Sequence, residues 1–532
     1  MISVNTSYWS GRWLSVVSLL LTYMLSRVIS QELIRRHGCG AMSGKIKPVH
    51  IANGLFRETL GAVGRTTNLK NVLIYTAARS TEEERQQAMN KLLDRSKENW
   101  GRLAEDATTR DGALGKQVLP MLRSLLGTDG AVFGKSIDQS SLTASTGNLV
   151  TGDPSDEHAG AFLKALWSIP TDPSTPDSSL LTLLQSIIDP ERDLTTADDL
   201  TVLLSPLAEG VRERKPDEAI ANCQDLQKFQ ETGAAYDPVL WELRLAADML
   251  AVYEQAVRPN AMATLERIVS LGSLTIFLYL STRGRIWAGL PARPLFLQAT
   301  GKPNSPIAKA SEECVQQLTI RDPKRYLTLL LQSVLDNLST EPDGWLELWD
   351  SERIWEELSS QTGVKREPKF DAEIRELTKI VVQREPDVEP EEVLGEIMDK
   401  LLEKDNGSLV NYLRGLGWKS GLLYPQKNPK KRVCPEDRVI EVLVAGTVNV
   451  VDEFVEYQEF LERLWKRFGI VTGGHPEDEF LLSQSGISRV SSKYLRQNAE
   501  AFLKRLEDQG FAKRMADGKA LVGLIETGYV NL

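Results

Sequence analysis

Eight basic residues fall between positions 489 and 519: Arg489, Lys493, Arg496, Lys504, Arg505, Lys513, Arg514 and Lys519. Four acidic ones, Glu500, Glu507, Asp508 and Asp517, leave the stretch at +4 in a chain whose net charge is -10. Lysines and arginines at this density can neutralise phosphates, and binding then draws on released counterions. Because the chain as a whole is acidic, only such a local patch could hold nucleic acid. A second basic run, "PQKNPKKR" at 425–432, crowds Lys427, Lys430, Lys431 and Arg432 together. It reads either as a phosphate-binding arm or as a solvated linker between domains.

Side chains suited to covalent or metal chemistry are sparse. The four histidines, His37, His50, His158 and His475, are each isolated, so a metal triad would need long-range assembly. There is no Gly-x-Ser-x-Gly elbow and no His-Glu-x-x-His pair. The acids of "KFDAEIRELTK" and "PDVEPEEVLGEIMDK" follow helical spacing and read as solvated faces. "DGAVFGKS" (129–136) resembles a phosphate loop at Gly134, Lys135 and Ser136, but Asp129 stands where the first glycine is needed. The preceding "LPMLRSLLG" looks helical rather than like a strand, so a plain loop is expected. "TGKPNSPIAKA" (300–310) places a helix start beside Lys302, a geometry that can hold an anion and that also begins ordinary helices. The sequence therefore points to binding rather than catalysis, with no cofactor and no metal. The rival reading is an enzyme whose site lies around residues 286–320.

The C-terminal basic residues need a scaffold, and the sequence supplies one. Phe454, Tyr457, Leu461, Leu464, Trp465 and Phe468 recur at steps of three and four, so that helix buries one face. A Gly-rich turn, a short second helix and a longer third one follow, the last with a core stripe of Leu495, Ala499, Phe502 and Leu506. Gly510 stops it, and "GFAKRMADGKALVGL" (510–524) reads as two strands joined at Asp517-Gly518. Helix, helix, longer helix and hairpin resemble the winged helix-turn-helix superfamily over roughly the last 80 residues. That resemblance implies a recognition helix carrying Arg489, Lys493 and Arg496 and a wing carrying Lys513, Arg514 and Lys519, with Lys430, Lys431 and Arg432 as an auxiliary arm. Its implied partner is DNA, bound weakly and without sequence preference; contact with another protein is the alternative. A helical body, a basic loop and a winged helix also resemble accessory subunits of bacterial chromosome-handling or genome-defence complexes. Other subunits, such as a DNA-motor ATPase, are then implied as partners.

The 532 residues are 42% hydrophobic and 26% charged, as expected of folded multi-domain proteins. Cys39, Cys223, Cys314 and Cys434 show no metal spacing and fit a reducing cytoplasm. The expected fold is mainly α: an apolar leader (1–41), an N-terminal helical domain (42–127) and a Gly/Ser/Pro-rich linker (128–179). A central helical domain (180–424) follows, with a strand-turn-helix insert near 293–320, then a basic linker (425–438) and the winged helix (439–532). The leader admits three readings: a dispensable extension ahead of a true start at Met42, a membrane anchor or signal through residues 11–30, or a packed helix. "DPVLWELRLAADMLAVYEQAV" carries a broad apolar face, and "SLGSLTIFLYLS" (270–281) is apolar on every side and too short to span a membrane. Ser305 followed by Pro306 marks a capped helix start.

Overall fold

Residues 270–281 lie within one long helix, Ala261–Trp287. A helix apolar all round must be covered, and Leu271, Ile276, Phe277 and Tyr279 are each at most 1% exposed. This helix alone among the described residues is long and apolar enough to cross a membrane, and 83% of its apolar window is buried inside the protein. Helices Pro48–Leu60, Pro238–Val257, Asp322–Asp336, Leu409–Lys419 and Asp437–Ala445 pack around it. The chain is mainly helical, as the sequence leads one to expect. The computed structural model describes residues 23–39, 46–64, 71, 80–99, 150–171, 179–189, 191, 210–257, 261–339, 343–351, 353–362, 371–384, 387–404, 409–425, 428–449 and 454–523. The phosphate-loop-like residues 129–136 and the first half of the 11–30 apolar run lie outside them.

The described part of the leader is a packed helix. Tyr23–His37 inserts Leu25, Val28, Ile29 and Leu33 into the core, and Cys39 follows them. His37 Nδ1 lies 2.8 Å from Asp225 Oδ2, and its Nε2 bonds the hydroxyl of Tyr326. Tyr279 and Tyr236 donate to the same Asp225 carboxylate, each at 2.7 Å. Burial alone would raise the Asp225 pKa, but His37 and Arg283 beside it hold it well below the usual range. Residues 23–39 complete a buried polar network and an apolar core together, the packing that the third reading of the leader describes.

The 128–179 stretch is likewise more than a linker where it is described. Val150, Phe162, Leu163, Leu166 and Trp167 are fully buried, the last four on helix Ala159–Ser168. This helix meets Pro48–Leu60 through paired glycines: a Cβ on Gly160 would fall 2.1 Å from the carbonyl carbon of Gly54. Beside that contact Arg57, 2% exposed, donates to Asp156 at 3.0 Å and to the Asp153 carbonyl at 2.6 Å.

In the 293–320 region the expected capped start is present. Ser305 Oγ accepts from Ala308 N at 3.1 Å, and helix Pro306–Gln316 follows. It runs through a π-helical turn, Gln317–Arg321, into Asp322–Asp336. The strand ahead of it, Leu295–Phe296, pairs in parallel with Ile470–Val471 of the C-terminal block.

The basic stretch after 424 is exposed at residues 428–430 and built into the fold at its end. Arg432–Val433 pairs antiparallel with Leu423–Tyr424, and Val433 also bridges Leu297. Pairing turns the flanking side chains inward, so Lys431 is 6% and Arg432 8% exposed. Past this point come helices Asp437–Ala445, Tyr457–Phe468, Asp478–Gln484 and Ser492–Asp508. A three-stranded antiparallel sheet then sets Ala520–Val522 between Val455–Glu456 and Ala512–Arg514.

Candidate nucleic-acid interface

The longest C-terminal helix buries Leu495, Asn498, Ala499, Phe502, Leu503 and Leu506. Helical spacing therefore turns Lys493, Arg496, Gln497, Glu500 and Lys504 to the opposite, exposed side. Its C-terminus closes as the sequence suggests. Gly510 adopts φ +79°, the left-handed region, and Phe511 N donates to Leu506 O at 2.8 Å, closing a Schellman turn. The hairpin turn is one residue longer than the expected two-residue type. Arg514 faces Ala520, Met515 N donates to Lys519 O at 2.7 Å, and Gly518 sits at φ +84°. Only the second residue of Asp517-Gly518 is left-handed; Asp517 Oδ1 instead accepts from Lys519 N at 3.0 Å.

The nine residues singled out in the sequence divide into three groups. Lys493, Arg496 and Lys513 are exposed and form no ion pair among the described residues. Arg489, Arg514 and Lys519 are exposed but engaged. Arg489 Nε lies 2.6 Å from Glu479, Arg514 reaches Glu507 at 2.8 Å and also Glu500, and Lys519 reaches Glu456. Exposed pairs of this kind are weak and screened by salt, so an incoming phosphate can displace them. In the basic run Lys427 lies outside the described residues, and of the described cations Lys430 is exposed while Lys431 and Arg432 are buried. Lys431 Nζ donates to the Pro425 carbonyl at 3.1 Å and lies over the Trp418 ring, while Arg432 donates to Gln298 at 3.1 Å. Lys431 and Arg432 are thus held inside the fold, and an arm built on them would require the strand pair to open.

Glu479 shapes the start of the long helix. It accepts from Arg489 and, at 2.8 Å, from Ser492 Oγ, and these two bonds hold its carboxyl below the usual range. A carboxylate here is favoured by the helix dipole. It thereby leaves Lys493 and Arg496, further along the helix, as the cations of this face outside the Glu479 contacts. Large apolar side chains lie among these charges: Phe480 is 65%, Tyr494 41% and Met515 44% exposed. Periodicity does not mark them, because each is a single exposed side chain, on a short helix, at a helix start or in the hairpin turn, and breaks no pattern.

One buried residue that sequence reasoning passed over fixes the long helix to the body. Asn498, fully buried, donates to Leu297 O at 2.6 Å and to Thr472 O at 2.8 Å, and accepts from Ala299 N at 2.8 Å. Arg505 adds a contact to Asp437 at 2.9 Å. At the 300–310 corner, Ser305 already satisfies one free amide of the helix start. Among the described residues no three metal-ligating side chains gather. Comparison with protein families, curated proteins and solved structures finds no match to this chain.

Proposed function

We propose that residues 455–523 form a winged helix and that the chain uses it to bind nucleic acid, as a non-catalytic subunit of a larger complex. The observation that carries this reading is the set of exposed cations that form no ion pair among the described residues, Lys493 and Arg496 on the long helix and Lys513 on the hairpin. In a chain of net charge -10, cations not engaged in an ion pair are the ones best placed to take phosphates. The strand Val455–Glu456 laid against the hairpin, with three helices between, supports the winged-helix reading. Fluorescence anisotropy of a labelled DNA duplex with the full chain at low salt tests it: saturable binding is expected, and a flat titration refutes it.

A second reading is favoured by a specific observation. Phe480, Tyr494 and Met515 offer apolar area beside the same cations, which suits a protein partner with an acidic, apolar surface. In that case the wing is a protein contact, and Phe480→Ser abolishes complex formation while DNA binding is absent from the start.

A further inference from the structure

The helix Asp322–Asp336 carries a stripe that the nucleic-acid reading leaves unused. Arg325, Leu329, Gln332, Ser333 and Asp336 follow helical spacing along one face, and with Trp287 they line a cavity of about 480 Å³. That volume suits a small organic ligand. Two of its polar groups lack partners among the described residues. Arg325 is exposed and makes no hydrogen bond or ion pair among the described residues. Asp336 Oδ1 is shielded from solvent and has no hydrogen-bond partner. Burial, with Asp343 nearby, raises the Asp336 carboxyl above its ordinary value, the mark of a group short of donors.

Trp287 supplies the flat surface between them. It is 40% exposed, its ring is capped by the Arg36 guanidinium at 4.2 Å, and Tyr326 meets it edge-on at 5.3 Å. Arg36 also donates to Ser333 Oγ at 3.0 Å, so the guanidinium that covers one face of the ring is tied to the stripe and the base is left the other face. The cavity thus presents a cation at one end, an aromatic platform in the middle and an acceptor at the other end.

We propose that this cavity binds a nucleoside monophosphate, with the phosphate on Arg325, the base over Trp287 and an N–H edge of the base donating to Asp336. Length decides against a free amino acid, whose charges sit a few bonds apart. Arg325 and Asp336 are eleven residues apart on one helix, about 16 Å along the axis. Arginine's reach closes part of that span, and a nucleotide covers the rest. A carboxylate only accepts hydrogen bonds, so bases with amino and ring N–H donors side by side fit best. Guanine is preferred over uracil, whose carbonyls would face Asp336.

Isothermal titration of the full chain with GMP, UMP, guanosine and inorganic phosphate tests the site. GMP is expected to bind about tenfold more tightly than UMP, guanosine or phosphate, in line with the gain from one good polar contact. Arg325→Ala should bring GMP down to the affinity of guanosine, and Trp287→Ala should weaken GMP and guanosine alike. Asp336→Asn should remove the preference for GMP over UMP. Circular dichroism melting curves of the variants establish that each is folded. Absence of saturable GMP binding overturns the proposal. So does phosphate binding as tightly as GMP with Trp287→Ala silent, which would reveal a simple anion site.

Discussion

Asn498 reaches across 201 residues to donate a hydrogen bond to the backbone of Leu297. The same side chain serves Thr472 O and Ala299 N, so one amide joins the exposed C-terminal helix to the parallel strand pair beneath it. Asn498→Leu would leave two carbonyls and an amide without this partner in a buried site. At about 1–3 kcal/mol for each unsatisfied group, a loss of about 3 kcal/mol or more is expected in chemical denaturation. A loss below about 1 kcal/mol would show that water or backbone movement satisfies them.

Gly160 and Gly54 allow two helices to approach at backbone contact, and no side chain fits between them. Gly160→Ala is expected to cost about 3 kcal/mol or more, since the obstacle is backbone and cannot rotate away. Gly152→Ala is the control: its Cβ meets nothing within 4 Å, so thermal melting should match the parent protein.

Removing residues 1–41 takes Leu25, Val28, Ile29, Leu33 and His37 out of the core. The shortened chain should melt well below the full one or fail to fold. Leu33→Ala alone should cost about 3 kcal/mol. Equal melting temperatures for the shortened and full chains would restore the reading of the leader as dispensable.

His158 and Asp217 form an ion pair at 2.6 Å. The bond to Asp217 raises His158 above its ordinary 6.5, and the bond to His158 pulls Asp217 below its ordinary 3.8 against the opposing effect of burial. His158 therefore contributes stability fully below pH 6.5, and the contribution fades as pH rises through its raised folded value. Asp217 contributes fully above pH 3.8 and loses it as pH falls through its lowered folded value. Denaturation of wild type and His158→Gln should differ most between these limits and converge at alkaline pH. A difference that grows toward alkaline pH would contradict this pairing.

What the sequence made legible was local. Ser305 before Pro306, Gly510 after the last helix and the all-round apolarity of residues 270–281 each act within a few neighbours, and the structure carries all three. The candidate site was legible only as charge. Which cations are free depends on carboxylates far away in sequence, such as Glu456 for Lys519, and no spacing rule places those. Lys431 and Arg432 misled for the same reason. A dense basic run reads as solvated until Val433 is seen to pair with Leu423 and Leu297. The helix Tyr23–His37 is ambiguous in sequence because its apolar residues suit a membrane, a signal or a core equally; in the structure Leu25, Val28, Ile29 and Leu33 are core.

The salt dependence of DNA binding tests the central claim most directly. Each phosphate contact contributes about 0.9 to the slope of log affinity against log salt. The full chain with Lys493→Ala, Arg496→Ala and Lys513→Ala combined should bind a duplex more weakly, with a slope about 2.7 shallower than the parent and an unchanged melting temperature. Parent and triple variant with the same slope, or a folded parent that binds no duplex at low salt, would contradict the assignment of these three cations to phosphates.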